Sequence, residues 1–147
     1  MNIALLTAAG SGTRMHQDIP KQFIHVDNKP VIIHTMEAFQ RHPSIDAMIV
    51  VTLDSWKEVL WAYAKQFNIS KLQWVLHGGE TGQDSIKNGL DKLKETFPDG
   101  DITVMVHDGN RPLVSSEIIS DSFATFAKYG FIPKLNALFK PMDNIVP

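Results

Sequence analysis

Cysteine is absent from this chain of 147 residues, so neither a disulfide bond nor a thiolate metal site is available to it. No apolar stretch reaches the roughly 18 residues that a membrane-spanning helix needs. The formal net charge is only −2, which offers no electrostatic footprint for nucleic acid or a membrane surface. Repeats, low-complexity segments and a recognisable signal peptide are also missing, and we therefore expect a cytoplasmic protein.

The composition that remains is that of one globular domain, with 44% apolar residues and enough length for a core. Short apolar runs alternate with amphipathic segments, which favours an α/β fold: a Rossmann-like, mostly parallel sheet flanked by helices on both faces. Strands are expected near residues 3–9, 48–53, 72–76 and 102–106. A capping box formed by Ser55 and Glu58 is expected to begin the helix over residues 56–67.

The first strand leads into a glycine loop that carries two cations. IALLTAA at residues 3–9 is followed by GSGTRM at 10–15 and by PKQ at 20–22. Glycines let backbone N–H groups approach an anionic ligand closely. Arg14 and Lys21 add two positive charges where the charge of a triphosphate would lie. The order of these motifs predicts a phosphate-binding loop at the end of a buried strand.

Two other phosphate-binding loops are excluded. The dinucleotide pattern GxGxxG requires a small third residue, and Met15 stands in its place. The pattern GxxxxGK[ST] does not occur in the chain. An acidic ribose partner about 20 residues further on is also missing, so a dinucleotide-dependent oxidoreductase is excluded.

A charged cluster, HDGNRP at residues 107–112, follows the strand predicted near 102–106. Ligands of open α/β sheets bind at the carboxyl ends of the strands. Asp108 is the candidate ligand for Mg²⁺, which takes one or two carboxylates and completes its shell with phosphates and water. Arg111 either orients Asp108 or contacts a ligand phosphate, and a purely structural Asp108–Arg111 turn is the alternative.

Four segments of the chain together resemble nucleotidyltransferases that join a nucleoside triphosphate to a sugar or polyol phosphate. They are AAGSGTRM at residues 8–15, PKQ, a second glycine loop at 78–85 and HDxxRP. Among these, the chain is similar to the 2-C-methyl-D-erythritol 4-phosphate cytidylyltransferase family, whose close relatives act on ribitol 5-phosphate. The resemblance implies the fold of nucleotide-diphospho-sugar transferases. It implies that CTP and a polyol phosphate give a CDP-polyol and pyrophosphate, with Mg²⁺ as cofactor. For full-length members it also implies a homodimer.

The resemblance assigns roles to single residues. Arg14 and Lys21 are the expected catalytic residues, and Asp108 is the expected metal ligand. The second glycine loop is expected to contact cytosine and ribose, although a helix-capping hydroxyl is the alternative for Ser85. Where the family usually has a basic residue before this serine, the chain has Gly82 and Gln83. The expected CTP-binding residues are Ala8, Ala9, Gly10, Gly12, Gly79, Glu80, Ser85, Asp108 and Arg111.

The resemblance ends near residue 130. We expect residues 1–130 to be a nucleotide-binding α/β domain that corresponds to the N-terminal part of the family domain. Residues 131–147, FIPKLNALFKPMDNIVP, are an atypical tail whose pattern predicts neither a strand nor a helix. Family members are considerably longer, so we expect a truncated or frameshifted member that lacks the C-terminal part.

The acceptor is left open by the sequence. The ribitol phosphate relatives are slightly favoured by GTRM, by HTMEAF at residues 34–39 and by Trp56. The motif HDGxRP fits both acceptors. The corresponding pathways are isoprenoid-precursor biosynthesis and cell-surface polymer biosynthesis. Two alternatives to this activity remain: a sugar-phosphate nucleotidyltransferase that uses another nucleoside triphosphate, and an inactive nucleotide-binding fragment.

Overall fold

The structure, a computed structural model, describes residues 1–10, 19–129 and 137–141. Its strands are β1 Asn2–Ala8, β2 His25–Val26, β3 Lys29–Pro30, β4 Ala47–Thr52, β5 Leu72–His77, β6 Thr103–Asp108 and β7 Ala137–Pro141. Its helices are α1 Val31–Arg41, α2 Lys57–Gln66, α3 Gly82–Thr96 and α4 Ser116–Tyr129, with short 3-10 turns at Lys21–Phe23 and Asp54–Trp56.

The main sheet has the strand order β5-β4-β1-β6-β7. The first four strands in this order run parallel, and β7 pairs with β6 in the antiparallel direction. The predicted mostly parallel α/β sheet is thereby confirmed. Ala8 lies opposite Thr52, and Thr7 lies opposite Asp108. The carboxyl ends of the four parallel strands therefore meet at one edge of the sheet, where ligands of such sheets bind.

Helices cover both faces of the sheet because successive side chains of each strand point to opposite sides. Ile3 and Leu5 of β1 belong to the apolar cluster that includes Leu90 and Leu93 of α3. Ala4 and Leu6 belong to the cluster on the other face, which includes residues of α1, α2 and α4. Strand β4 is buried along its whole length, as expected of a strand covered on both faces. Among the described helices, none has the length and apolar character needed to span a membrane.

Two local predictions are wrong. Helix α2 begins without a side-chain cap: its N-cap residue is Trp56, and the chain enters through a 3-10 turn in which the Trp56 N–H donates to the Leu53 carbonyl at 2.9 Å. The expected Ser55–Glu58 capping box is thus absent. The tail, for which no strand was predicted, contributes β7, whose backbone pairs with β6 from Thr103↔Pro141 to His107↔Ala137.

Candidate active site

Three loops meet at the carboxyl edge of the sheet. The first follows β1 through Ala9 and Gly10, the second follows β5 through Gly78 and Gly79, and the third begins at Asp108. Backbone hydrogen bonds tie each later loop to its neighbouring strand. The Gly78 N–H donates to the Thr52 carbonyl and the Gly109 N–H donates to the Thr7 carbonyl, both at 2.8 Å.

The PKQ segment is attached to the first loop through its glutamine. The Gln22 side chain is 1% exposed, and its Nε2 donates to the carbonyl oxygens of Ala8 and, at 3.2 Å, of Gly10. The next residue, Phe23, is buried and stacks on Trp56 with 4.6 Å between the ring centres. Lys21 is exposed and directly precedes the glutamine that is bonded to the loop following β1.

Thr52 contributes a second contact to the first loop. Its hydroxyl, fully buried at the end of β4, donates to the Ala8 carbonyl at 2.9 Å. Sequence reasoning missed this residue. The available signal was a threonine that ends the otherwise apolar run AMIVVT, because a hydroxyl buried in a central strand needs a hydrogen-bond partner.

The second loop is packed tightly against the first. A Cβ on Gly78 would collide with the Ala9 side chain and come within 2.8 Å of Ser85 Oγ, so only glycine fits between them. The Ser85 hydroxyl is buried and accepts the Gly79 N–H at 3.1 Å. Gly79 and Glu80 remain exposed. The loop therefore presents its backbone at the edge while Ser85 holds it from inside.

Helix α3 is capped by residues other than Ser85. The Thr81 hydroxyl accepts the Asp84 N–H at 3.1 Å, and the Asp84 carboxylate accepts the Thr81 N–H at 3.2 Å. This reciprocal pair is a capping box, and the spacing TxxD in the sequence was the signal for it. The capping alternative for Ser85 is therefore wrong, and its role toward CTP stays a prediction.

The third loop is a tight turn that carries a carboxylate and a guanidinium. Asp108 Oδ1 accepts the Asn110 N–H at 2.9 Å, and Arg111 Nε lies 3.5 Å from Asp108 Oδ2. Both charged side chains are about half exposed, 43% for Asp108 and 56% for Arg111. The two charges therefore lie close together and are accessible to a ligand.

Two buried side chains support this turn. Thr35 of α1 donates its hydroxyl to the Gly109 carbonyl at 2.7 Å. His107 places Nε2 3.0 Å from the Arg111 carbonyl, which can only accept, so Nε2 carries the proton. These contacts fix both ends of the turn from the protein interior. Sequence reasoning gave Thr35 no role, because its partner lies 74 residues away.

Asp108 can supply one ligand of the expected magnesium site but not the whole site. Among the described residues, no three His, Asp or Glu side chains are grouped so that they could hold a metal ion alone. Mg²⁺ in nucleotide sites is commonly held by one or two carboxylates together with substrate phosphates. The half-exposed carboxylate of Asp108 suits such a site, which a bound triphosphate would complete.

Most of the predicted site residues are brought together at this edge. Arg14 and Gly12 lie outside the described residues. Ser85 lies beneath the second loop, with its hydroxyl facing the Gly79 N–H. The residues found at the edge itself are Ala8, Ala9, Gly10, Lys21, Gly79, Glu80, Asp108 and Arg111. Their individual roles toward a ligand stay predictions.

Known proteins resemble this chain in sequence and in fold. The sequence profile of the family described as IspD, 2-C-methyl-D-erythritol 4-phosphate cytidylyltransferase, matches residues 2–137. A ribitol-5-phosphate cytidylyltransferase of Lacticaseibacillus paracasei is 43% identical over 130 residues, 88% of this chain and 55% of the relative. A 2-C-methyl-D-erythritol 4-phosphate cytidylyltransferase of Clostridium botulinum is 38% identical over 129 residues, again 88% and 55%.

Among solved structures, the 4-diphosphocytidyl-2C-methyl-D-erythritol synthase of Anaerococcus prevotii superimposes with a TM-score of 0.69 at 26% identity. The superposition covers 86% of this chain and 51% of that protein. This chain therefore spans about half the length of the relatives it matches. The sequence profile extends past residue 130 to residue 137, which is the first residue of β7.

Proposed function

Because this chain belongs to the 2-C-methyl-D-erythritol 4-phosphate cytidylyltransferase family, we propose that it binds CTP and transfers the cytidylyl group to a polyol phosphate with release of pyrophosphate. One observation carries the proposal. Gln22 joins the PKQ segment to the loop after β1, so Lys21 stands beside that loop at the edge where Asp108 and Arg111 also lie. A phosphate-binding loop, cations and a carboxylate at one edge suit phosphoryl transfer.

In the proposed reaction, a phosphate oxygen of the acceptor attacks the α-phosphorus of CTP. The new P–O bond forms while the bond to the β-phosphate oxygen breaks, and pyrophosphate leaves with the electron pair. Both reactants are anions, so most of the catalysis lies in positioning and charge neutralisation. We assign the backbone around Ala9 and Gly10 to the phosphates of CTP. Lys21 stabilises the charge that develops there, and we assign Arg14, outside the described residues, the same task.

Asp108 would hold Mg²⁺ together with the phosphates of CTP, and the ion would reduce the repulsion between the two anionic reactants. The chain prepares this carboxylate in two ways. The Asn110 N–H occupies Oδ1 at 2.9 Å, and the Arg111 guanidinium lies 3.5 Å from Oδ2. We therefore assign Arg111 the orientation of Asp108 and a contact with a phosphate oxygen.

We assign recognition of cytosine and ribose to the second loop. Its exposed backbone at Gly79 and Glu80 offers hydrogen-bonding groups, and the contact of Gly78 with Ala9 fixes that backbone relative to the phosphate loop.

For the acceptor we propose ribitol 5-phosphate, because the named ribitol-5-phosphate relative is 43% identical and the named methylerythritol relative 38%. A homodimer stays a prediction.

Thermal unfolding with different nucleotides tests the proposal. We expect CTP with Mg²⁺ to raise the melting temperature, because a ligand that binds only the folded state stabilises it, whereas ATP, UTP and GTP leave it unchanged. Pyrophosphate release is then measured with ribitol 5-phosphate and with 2-C-methyl-D-erythritol 4-phosphate. A rise with UTP or GTP instead would favour the alternative nucleotidyltransferase. A cooperative melt that no nucleotide shifts would contradict the proposal and favour an inactive fragment.

A further inference from the structure

The carbonyl group of Ala8 receives hydrogen bonds from two buried side chains that come from different parts of the chain. Thr52 Oγ1 donates to it from the end of β4 at 2.9 Å, and Gln22 Nε2 donates to it from the PKQ segment. Thr52 is fully buried and Gln22 is 1% exposed. Two donors with so little freedom fix the direction of this carbonyl before any ligand arrives.

The direction of the Ala8 carbonyl determines where the next N–H points. A trans peptide is planar, and its C=O and N–H point in opposite directions. Strand β1 lies between β4 and β6, and the Ala8 oxygen is bonded from the side of β4 by Thr52. The N–H of Ala9 therefore points away from β4, toward the side of the sheet that carries the Asp108 turn. It also belongs to the loop to which we assign the phosphates.

Burial of Gln22 supports a role beyond packing. Both contacts of its amide are with carbonyl oxygens, so the nitrogen must face them and Oε1 faces elsewhere. That oxygen is buried and has no hydrogen-bond partner among the described residues. A buried unsatisfied amide oxygen is unfavourable, and an apolar side chain would fill this place without it. The donor function of Nε2 accounts for the amide.

We propose that Gln22 and Thr52 are positioning residues that hold the Ala8–Ala9 peptide so that the Ala9 N–H is directed at the phosphates of the nucleotide. Neither side chain touches the reacting atoms. Preorganised donors stabilise an anionic ligand more than donors that must first reorient. The inference rests on the proposed function, since it assumes that the loop after β1 binds the phosphates of CTP.

Thr52→Val tests the inference, because valine keeps the shape of threonine and removes the donor. We expect the dissociation constants of CTP and of inorganic pyrophosphate to rise by about three- to tenfold, the effect of losing one hydrogen bond. Thr52→Ser should restore both constants, which a packing role for the side chain would not explain. Thr103→Val is the matched control, since it makes the same change at the start of β6, at the opposite edge of the sheet.

Gln22→Met gives a second, independent measurement, because it removes the donor to two carbonyls; we expect a larger loss than with Thr52→Val. Melting temperatures of all variants separate a loss of binding from a loss of folding. If Gln22→Met does not fold, the result for Thr52→Val alone tests the inference. If the parent chain binds CTP and pyrophosphate and Thr52→Val binds both within twofold, the inference is wrong and the proposed function stands. If the parent chain binds neither, both are wrong.

Discussion

Lys21 is the exposed member of a segment whose next two residues are buried. Gln22 and Phe23 anchor the segment, and among the described residues no carboxylate forms an ion pair with Lys21. An exposed ammonium group that pairs with no carboxylate of the described residues is available to an anionic ligand. Its contribution should therefore appear in turnover and not in the stability of the fold.

For Lys21→Ala we expect turnover to fall by about a hundredfold or more, as when one preorganised charge contact in the transition state is lost. The free energy of unfolding should change by less than about 0.5 kcal/mol, because the side chain is exposed. Steady-state kinetics and urea unfolding measure the two effects. Lys65→Ala, an exposed lysine on α2, is the control and should leave both unchanged. Turnover of Lys21→Ala equal to that of the parent chain would refute the catalytic role.

Single residues could be predicted as candidates for the site where a motif indicates its chemistry, and their roles stay predictions. Glycines at a strand end, the lysine of PKQ and Arg111 indicate anion binding by residue type, and Asp108 indicates a metal ligand. The partners of the residues that support the site were not predictable, even where a buried hydroxyl, as at Thr52, signals that it needs one. Thr52 and Thr35 are polar residues in apolar or helical segments, and their partners lie 44 and 74 residues away in the chain. Only the fold shows that these hydroxyl groups meet backbone carbonyls of the site.

Helix α3 contains two glycines in opposite surroundings. Gly89 faces the sheet, where a Cβ would lie 2.6 Å from Leu5 Cδ1 and 3.2 Å from Val51 Cγ2. Leu5 and Val51 are fully buried, so neither can move aside easily. Gly82 stands at the start of the helix, and a Cβ there would meet no atom within 4 Å. The same substitution should therefore have opposite effects at the two positions.

We expect Gly89→Ala to lower the free energy of unfolding by about 1 kcal/mol. The gain in helix propensity is about 1 kcal/mol, whereas overpacking of a core costs about 1–3 kcal/mol. Gly82→Ala should raise the free energy of unfolding by about 0.5 kcal/mol, because alanine restricts the unfolded chain without a clash. Chemical denaturation of both variants measures the difference. Equal stabilisation by the two substitutions would show that α3 does not pack as closely on β1 as the structure indicates.

Helices and strands were predictable where the spacing of apolar residues indicates them. They were not predictable where a segment becomes a strand only by pairing with another strand. The buried run at Ala47–Thr52 and the amphipathic pattern of α1 carry their own signal. Strand β7 has no such signal, because its segment contains few regularly spaced apolar residues and becomes a strand by pairing with β6. The helix α2 was predicted within one residue at each end, but its capping box was wrong because a 3-10 turn replaces it.

One buried histidine joins three segments of the chain: the end of α1, helix α4 and the residue before β5. His42 follows α1 and is 3% exposed. Its Nδ1 accepts the Ser44 N–H at 3.0 Å, and its Nε2 donates to Ser120 of α4 at 2.9 Å. Lys71, just before β5, donates to the His42 carbonyl at 2.8 Å. Burial lowers the pKa of His42 below its ordinary value of 6.5; a hydrogen bond to the Ser116 backbone opposes this shift, and the charge of Lys71 adds to it.

We expect the stability of the whole domain to depend on the charge of His42. Since its folded-state pKa lies below 6.5, the unfolded chain takes up the proton first as the pH falls. The free energy of unfolding should therefore decline from pH 6.5 down to the folded-state pKa, by up to about 1.4 kcal/mol per pH unit. Raising the pH above 6.5 should not increase the free energy of unfolding through His42.

Urea unfolding of His42→Gln at several pH values measures this contribution. The variant should be less stable than the parent chain near pH 7, because its contacts with Ser44 and Ser120 are altered, and its stability should fall less steeply below pH 6.5. His25→Gln, at an exposed histidine, is the matched control and should keep the slope of the parent chain. An unchanged slope in His42→Gln would mean that another group causes the acid dependence.

At the scale of the molecule, the alternation of strands and helices was enough to predict a mostly parallel sheet with helices on both faces. The strand order β5-β4-β1-β6-β7 did not follow from it, because any order of parallel strands has the same alternation along the chain. The order determines which loops adjoin, and hence the site. The domain boundary near residue 130 stays a prediction, while the match to the family profile continues to residue 137.

The central position of β1 has a consequence for synthesis on the ribosome. Strand β1 acquires its neighbour β4 early, but Asn2 pairs on its other side with Thr103, which emerges much later. Until then one backbone edge of a strand made mostly of Ile, Ala and Leu has no partner, and nascent chains in that condition are prone to aggregate. The loop after β1, to which we assign the phosphates, is thus translated long before the Asp108 turn, and the proposed site can assemble only once β6 has left the exit tunnel.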